Sequence, residues 1–326
     1  MTINKIKKYL AILVAIMLLV SVCAMCACND KPNQPKQITM YVPDGAPALS
    51  VAKIISDKAV GDTTVSTVIT TGEEVVAKCG SGEADMAVLP TNAAVNVCTK
   101  RNDYLLFSVN VYGVLYIVGT EHIDSIDQLQ GQTLYSIGLG NTPEYVFKKI
   151  CDTWDVKYQG DNAINIQYQT DASSIIPLLI KGSAKFALIG EPAVTQLKNK
   201  SAKVETLFDL QQLWQQATGS DQKGYPQASM IVKKDLLTDD FAEALMSKLT
   251  ANSQFITANC NTLSDLLTNA GSTLELTYTP DLLERCNLTA IPASTALADL
   301  NKYLATFNAL ANLLPLSTDI IYEAKN

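Results

Sequence analysis

Histidine is almost missing from this chain: His122 is the only one in 326 residues. It stands between Glu121 and Asp124 on a predicted loop, where a solvated turn accounts for it, and no pair of the cysteines beyond residue 28 has metal-ligand spacing. Neither a metal centre nor a cofactor is therefore expected, and Ser/His/Asp catalysis fails because no histidine falls in a candidate ligand loop. Basic charge is also in deficit, with 25 Lys and Arg against 32 Asp and Glu. No basic run is interleaved with aromatics, so a nucleic-acid surface is disfavoured. Beyond residue 28 only Cys79, Cys98, Cys151, Cys260 and Cys286 remain, an odd number, so at least one is unpaired within the chain. Two readings stay open: Cys260 with Cys286 or Cys79 with Cys98 as disulfides, or buried free thiols.

Long apolar runs are confined to the start. Lys5, Lys7 and Lys8 precede an apolar stretch from Leu10 to Val22, broken only by Ser21, which reads as an export signal. It closes on Met25-Cys26-Ala27-Cys28, a junction that resembles a bacterial lipobox, implying cleavage before Cys28 and a palmitate-type lipid anchor there. Cys23 and Cys26 are rival acceptors, and Leu10–Cys28 is long enough to serve instead as an uncleaved anchor. Residues 29–37 are polar and proline-bearing and form a tether. Cleavage would remove three lysines and no acid, leaving 22 basic against 32 acidic residues, a charge of −10. About 290 residues follow the tether, enough for two cores.

Those residues carry an internal repeat. Gly82-Glu83-Ala84-Asp85-Met86-Ala87-Val88-Leu89-Pro90 is answered a hundred residues later by Gly182-Ser183-Ala184-Lys185-Phe186-Ala187-Leu188-Ile189-Gly190. Each copy reads as a helix closed by glycine, an apolar strand, and a turn into the next helix, half of a βαβ unit. Two α/β lobes are implied, with ligands expected beyond the carboxyl ends of the strands.

The first lobe spans 38–112, with strands at Ile38–Val42, Thr64–Ile69, Met86–Leu89 and Leu105–Val111 and a helix over Pro47–Val60. Thr71 and Glu74 have capping-box spacing for the next helix. The second lobe, 113–225, has strands at Val114–Val118, Thr133–Ile137, Ile164–Tyr168, Phe186–Ile189 and Val204–Phe208, with helices at Pro143–Cys151 and Ser173–Lys181. Gln227–Val232 is a strand without a local partner, so 226–326 returns to the first lobe. Its helices are predicted at Asp240–Leu249, Ser253–Asn259, Leu263–Ala270 and Ala296–Leu314. Gly113, Gly224 and Pro226 lie on the two crossings and are the candidate hinge.

Small residues and polar donors gather at the strand ends: Asp44, Gly45 and Ala46; Thr71 and Gly72; Thr91 and Asn92; Gly140, Asn141 and Thr142. These loops place helix N-termini at the mouth of a cleft, although ordinary capping explains the same residues. Gly138-x-Gly140 lacks the third glycine of a dinucleotide fingerprint. Glu191 either meets a ligand cation or favours its own helix start; Trp214 either closes over a ligand or packs in the core. Tyr41 and Tyr112 stand near the first loop and the crossing.

Tyr41-Val42-Pro43-Asp44-Gly45-Ala46-Pro47-Ala48-Leu49, Gly82-x-Ala84-Asp85-Met86-Ala87-Val88-Leu89-Pro90-Thr91-Asn92, Gly190-Glu191-Pro192 and Tyr225-Pro226-Gln227 resemble the solute-binding proteins of ABC importers. Over residues 38–250 the chain is most similar to the group serving nitrate, sulfonate, taurine and thiamine-precursor uptake. The resemblance implies a monomer with an α/β, two-lobed periplasmic-binding-protein fold of type II, a ligand cleft between lobes, and C-terminal helices. It also implies hinge closure, delivery to a membrane permease with a separate ATPase, and a place outside the cytoplasmic membrane. The absence of clustered arginines turns the expectation from a small inorganic anion toward an organic ligand with a polar head and an apolar or ring body. The rival functions are a ligand sensor coupled to a membrane receptor and an enzyme like the thiamine-pyrimidine synthases, which use a histidine and clustered cysteines.

Overall fold

The computed structural model describes residues 36–220, 224–307 and 313–324. Cys28 and the leader therefore lie outside the described residues. Two sheets organise the rest. The larger has seven strands in the order β12-β5-β11-β4-β1-β3-β2, formed by β1 (Gln37–Pro43), β2 (Ala59–Val60), β3 (Thr63–Thr70), β4 (Met86–Pro90), β5 (Tyr104–Val111), β11 (Ala228–Lys233) and β12 (Leu288–Pro292). The smaller has the order β10-β6-β9-β7-β8, from β6 (Leu115–Gly119), β7 (Thr133–Ile137), β8 (Asn165–Gln169), β9 (Phe186–Gly190) and β10 (Glu205–Asp209).

The hundred-residue repeat is visible in this order. β3-β1-β4 is a parallel core in the first sheet and β8-β7-β9 a parallel core in the second. Beside each core lies an antiparallel strand entered directly from a crossing: β11 next to β4, and β6 next to β9. Met86–Leu89 and Phe186–Ile189 are buried throughout, which is why both read as unbroken apolar runs rather than alternating ones.

The preceding helices, α3 (Gly72–Ser81) and α6 (Ala172–Ile180), end alike. Gly82 (φ 81°) donates to the Cys79 carbonyl while Glu83 N–H reaches back to Lys78. Gly182 (φ 74°) donates to Leu179 while Ser183 reaches Leu178. Both glycines take the left-handed conformation that satisfies the last helical carbonyls at no Cβ cost. At the start of α3, Thr71 Oγ1 accepts from Glu74 N–H at 3.3 Å, a cap that contributes about 1 kcal/mol. Glu74 does not complete the capping box; its carboxylate is taken by the Thr70 hydroxyl.

Several expectations change. The helix expected over Pro47–Val60 is two short ones, α1 (Ala46–Leu49) and α2 (Ala52–Asp57), stopped by Lys58 in the left-handed region before the chain turns into β2. The two helices expected across 240–259 are one, α9 (Asp239–Ala258), because no breaker separates them. α10 (Leu263–Asn269) follows. α11 (Pro280–Arg285) and β12 were not expected; Pro280 opens the helix after the Thr279 cap, and β12 pairs antiparallel with β5. The last predicted helix reaches only from Leu297 to Ala305 as α12, and residues 308–312 lie outside the described residues.

All five described cysteines are free, and Cys79, Cys98, Cys151 and Cys286 are buried. The disulfide alternative is thereby corrected: these thiols are interior apolar groups, and burial pushes Cys79 and Cys151 up to about 12.

Candidate functional site

The strands of both parallel cores end at one cavity of about 330 Å³. From the first sheet it is bounded by the β1–α1 turn (Asp44, Gly45, Ala46), the β3–α3 turn (Thr71, Gly72) and the end of β4 at Pro90. From the second come the β7–α5 turn (Asn141, Thr142), with α5 running Thr142–Thr153, the β8–α6 turn (Thr170, Asp171, Ser173), and Glu191 before α7 (Ala193–Lys200). This is where an open α/β sheet places a ligand, because each strand-to-helix turn there leaves backbone N–H groups without a helical partner.

Of the residues picked from sequence, Asp44, Gly45, Ala46, Thr71, Gly72, Asn141, Thr142 and Glu191 line this cavity. Asp44 is heavily engaged: Oδ1 accepts from Gly45 N (2.8 Å) and Ser272 Oγ (2.7 Å), and Oδ2 from Thr273 N (2.7 Å) and Thr273 Oγ1 (3.1 Å). It fastens the 272–273 loop across the first turn.

Glu191 is buried and already has a counter-charge. Its carboxylate accepts from Thr195 N (3.0 Å), Thr195 Oγ1 (2.9 Å) and Arg285 Nε (3.0 Å). The second guanidinium arm of Arg285 donates to Thr195 Oγ1 at 3.0 Å. Both sequence readings of Glu191 therefore meet a third fact, a cation brought from α11, 94 residues away.

The other chosen residues stand behind the cavity. Asn92, on α4 (Thr91–Lys100), donates through Nδ2 to the Gly140 carbonyl (3.0 Å) and accepts from Thr142 Oγ1 (3.3 Å), joining loops of the two sheets. Thr91 is fully buried and shares a 2.9 Å hydrogen bond with Ser229. Gly140 donates to Glu144 Oε2. Tyr41 is half-buried with the Lys78 ammonium 5.9 Å from its ring centre. Tyr112 lies 3.5 Å from Asp299, and burial, aided by that carboxylate, pushes its hydroxyl up to about 12.

Trp214, on α8 (Leu210–Thr218), is core rather than lid. It is 4% exposed, with ring centroids 5.3 Å from Tyr225, 5.7 Å from Tyr303 and 5.6 Å from Phe307.

The two crossings touch backbone to backbone. A Cβ on Gly224 (φ 105°) would come within 2.6 Å of the Tyr112 carbonyl oxygen, and one on Gly113 within 3.2 Å of Gly224 Cα and 2.8 Å of Gln211 Cγ. Pro226 is buried beside them. Gln211 bridges the strands: Oε1 accepts from Leu115 N (2.8 Å) and Tyr225 OH (3.1 Å), and Nε2 donates to Leu115 O (3.1 Å).

Thr170, Asp171, Ser173, Glu73 and Gln227 line the cavity without having been picked. The repeat held the signal for the first two, since Thr70 and Thr71 plus one hundred are Thr170 and Asp171. Burial pushes the Asp171 carboxyl up, but hydrogen bonds from Ser173 and Ser174 outweigh it and hold the pKa below the usual aspartate value.

No protein-family model matches this sequence, and no curated protein matches it. Solved structures do resemble it. An ABC transporter protein from Parabacteroides distasonis aligns over 89% of this chain and 100% of its own at 20% identity and TM-score 0.71. The periplasmic aliphatic sulphonate binding protein SsuA from Escherichia coli aligns over 90% and 94% at 13% identity and TM-score 0.63. The alkanesulfonate-binding protein SsuA from Xanthomonas axonopodis pv. citri, solved with MOPS, aligns over 88% and 96% at 13% identity and TM-score 0.61. The fold is thus the two-lobed α/β fold of ABC-transporter solute-binding proteins.

Proposed function

We propose that the chain is an extracytoplasmic solute-binding protein that captures a small organic molecule between its two sheets and hands it to an ABC permease driven by a separate ATPase. The observation that carries this reading is the single cavity at the carboxyl ends of both parallel cores, in a chain whose fold is that of solute-binding proteins. Residues 38–112 and 226–326 form one lobe in this proposal and 113–225 the other. Closure bends at Gly113 and Gly224–Pro226, where the crossings touch. Asp44, Gly45, Ala46, Thr71, Gly72, Asn141 and Thr142 contact the solute, and the protein acts as a monomer held at the membrane by lipid on Cys28. No helix among the described residues is long and apolar enough to cross a membrane.

Two of the structural neighbours bind sulfonates by name. That ligand does not carry over to this chain, because no Lys, Arg or His among the described residues lines the cavity. The capture reading is tested by dialysing the protein against a bacterial small-molecule extract, then denaturing it and weighing what it releases. One compound retained at close to one per chain is expected, with a smaller radius of gyration in small-angle scattering when it is bound. Retention of nothing refutes capture; an unchanged radius refutes hinge closure.

A further inference from the structure

Four cavity-facing helices of eight or more residues begin with a carboxylate of the chain itself; α4, which starts after Pro90 at the cavity edge, has no acid in its first turn. Glu73 and Glu74 sit in the first turn of α3, Glu144 in that of α5, and Asp171 caps α6. Glu191 accepts the Thr195 N–H in the first turn of α7. A helix start carries about half a positive charge, and a carboxylate within the first turn cancels it. At these four turns the usual attraction for an oxyanion is therefore already answered from within.

The side chains tilt the balance further. Among the described residues Asp44, Glu73, Asp171 and Glu191 line the cavity, and no basic side chain does. Glu191 alone is matched by a cation, Arg285. Among the described residues, Asp44 and Asp171 are hydrogen-bonded only by neutral donors, and exposed Glu73 makes no ion pair. An oxyanion here would face like charges in a partly desolvated cleft, whereas a cation would be drawn in. The walls between the carboxylates are apolar, with Ile69, Val114, Leu115, Ile137 and Leu274 inside and Leu139, 59% exposed, on the lip.

We propose that the cavity takes a compact organic cation, a protonated amine, an amidinium or a quaternary nitrogen on an apolar body, with its charge toward the rim formed by Glu73 and Asp171. This rests on the capture reading above and specifies the chemistry of the same cavity. Glu73 draws the charged end in from the rim and the apolar walls hold the body. Leu139, between two glycines at the lip, covers the apolar end.

The test sorts a bacterial small-molecule extract by ion exchange at pH 7 into cationic, neutral and anionic pools. Each is dialysed separately against the full chain, with thermal melting and mass spectrometry of what is retained. The cationic pool alone should raise the melting temperature, by mass action, and yield the retained compound. Glu73→Gln, exposed and outside both cores, should fold normally and bind that compound about fivefold more weakly, as expected for one partly screened charge. A retained anion or neutral compound overturns the charge assignment and leaves capture standing. Retention from no pool overturns both. Equal affinity in E73Q overturns the placing of the cation at this rim.

Discussion

Replacing Glu191 by glutamine separates a structural carboxylate from a ligand-binding one. The native group has three partners: Thr195 N, Thr195 Oγ1 and Arg285 Nε, at 3.0, 2.9 and 3.0 Å. A glutamine oxygen can keep the Thr195 N–H, and its amide can donate to the Thr195 hydroxyl, which accepts as readily as it donates. Only the Arg285 Nε–H then loses its acceptor, while the other arms keep Thr195 Oγ1 and the Asp281 carbonyl. A charge-assisted hydrogen bond contributes about 1.5 to 3 kcal/mol. The Arg285 side chain is 46% exposed and can rehydrate, so the expected loss shrinks to about 1 kcal/mol. In a folded unit of this size that lowers the melting temperature by about 2 to 4 °C. The assay is thermal and urea unfolding followed by circular dichroism, with Arg285→Ala and the double mutant completing a cycle. Coupling of about 1 kcal/mol is expected, because the two side chains touch. Independent, additive losses would refute the view that this carboxylate is held by Arg285.

Trp214→Ala removes a ring that touches Tyr225, Tyr303 and Phe307, so it should cost about 3 to 5 kcal/mol in urea unfolding; a loss under about 1 kcal/mol contradicts a core role. Gly224→Ala places a Cβ 2.6 Å from the Tyr112 carbonyl in a conformation unfavourable to alanine, and should destabilise by more than about 1 kcal/mol. A neutral result there would mean that the crossings are not tightly apposed. Cys28→Ala should abolish palmitate labelling and release the protein from the membrane fraction with its melting temperature unchanged; undiminished labelling sinks the lipid assignment.

The repeat was legible because it is built from local chemistry. Gly82 and Gly182 close helices in the same left-handed turn, and the apolar runs that follow are strands buried on both faces. Local signals also found the Thr71 cap and eight cavity residues, since strand-to-helix turns are marked by small and polar residues. The β8–α6 turn escaped because the segment was read only as the start of a helix at Ser173, although the repeat places Thr170, Asp171 and Ser173 opposite Thr70, Thr71 and Glu73. β12 escaped because a strand half-buried along its whole length at a sheet edge has neither a continuous apolar run nor clean alternation.

By itself the sequence determined what depends on near neighbours: the type and approximate place of most helices and strands, and that the pattern occurs twice. Tertiary structure alone decided which distant groups meet. Arg285 reaches Glu191 across 94 positions, Ser272 and Thr273 take up Asp44, and Trp214 turns into an aromatic core instead of the cleft. The physical reason is range. Caps and periodicity act within one or two helical turns, whereas the partner of a buried charge or ring is chosen by which elements packing brings within a few ångströms, and spacing along the chain does not encode that choice.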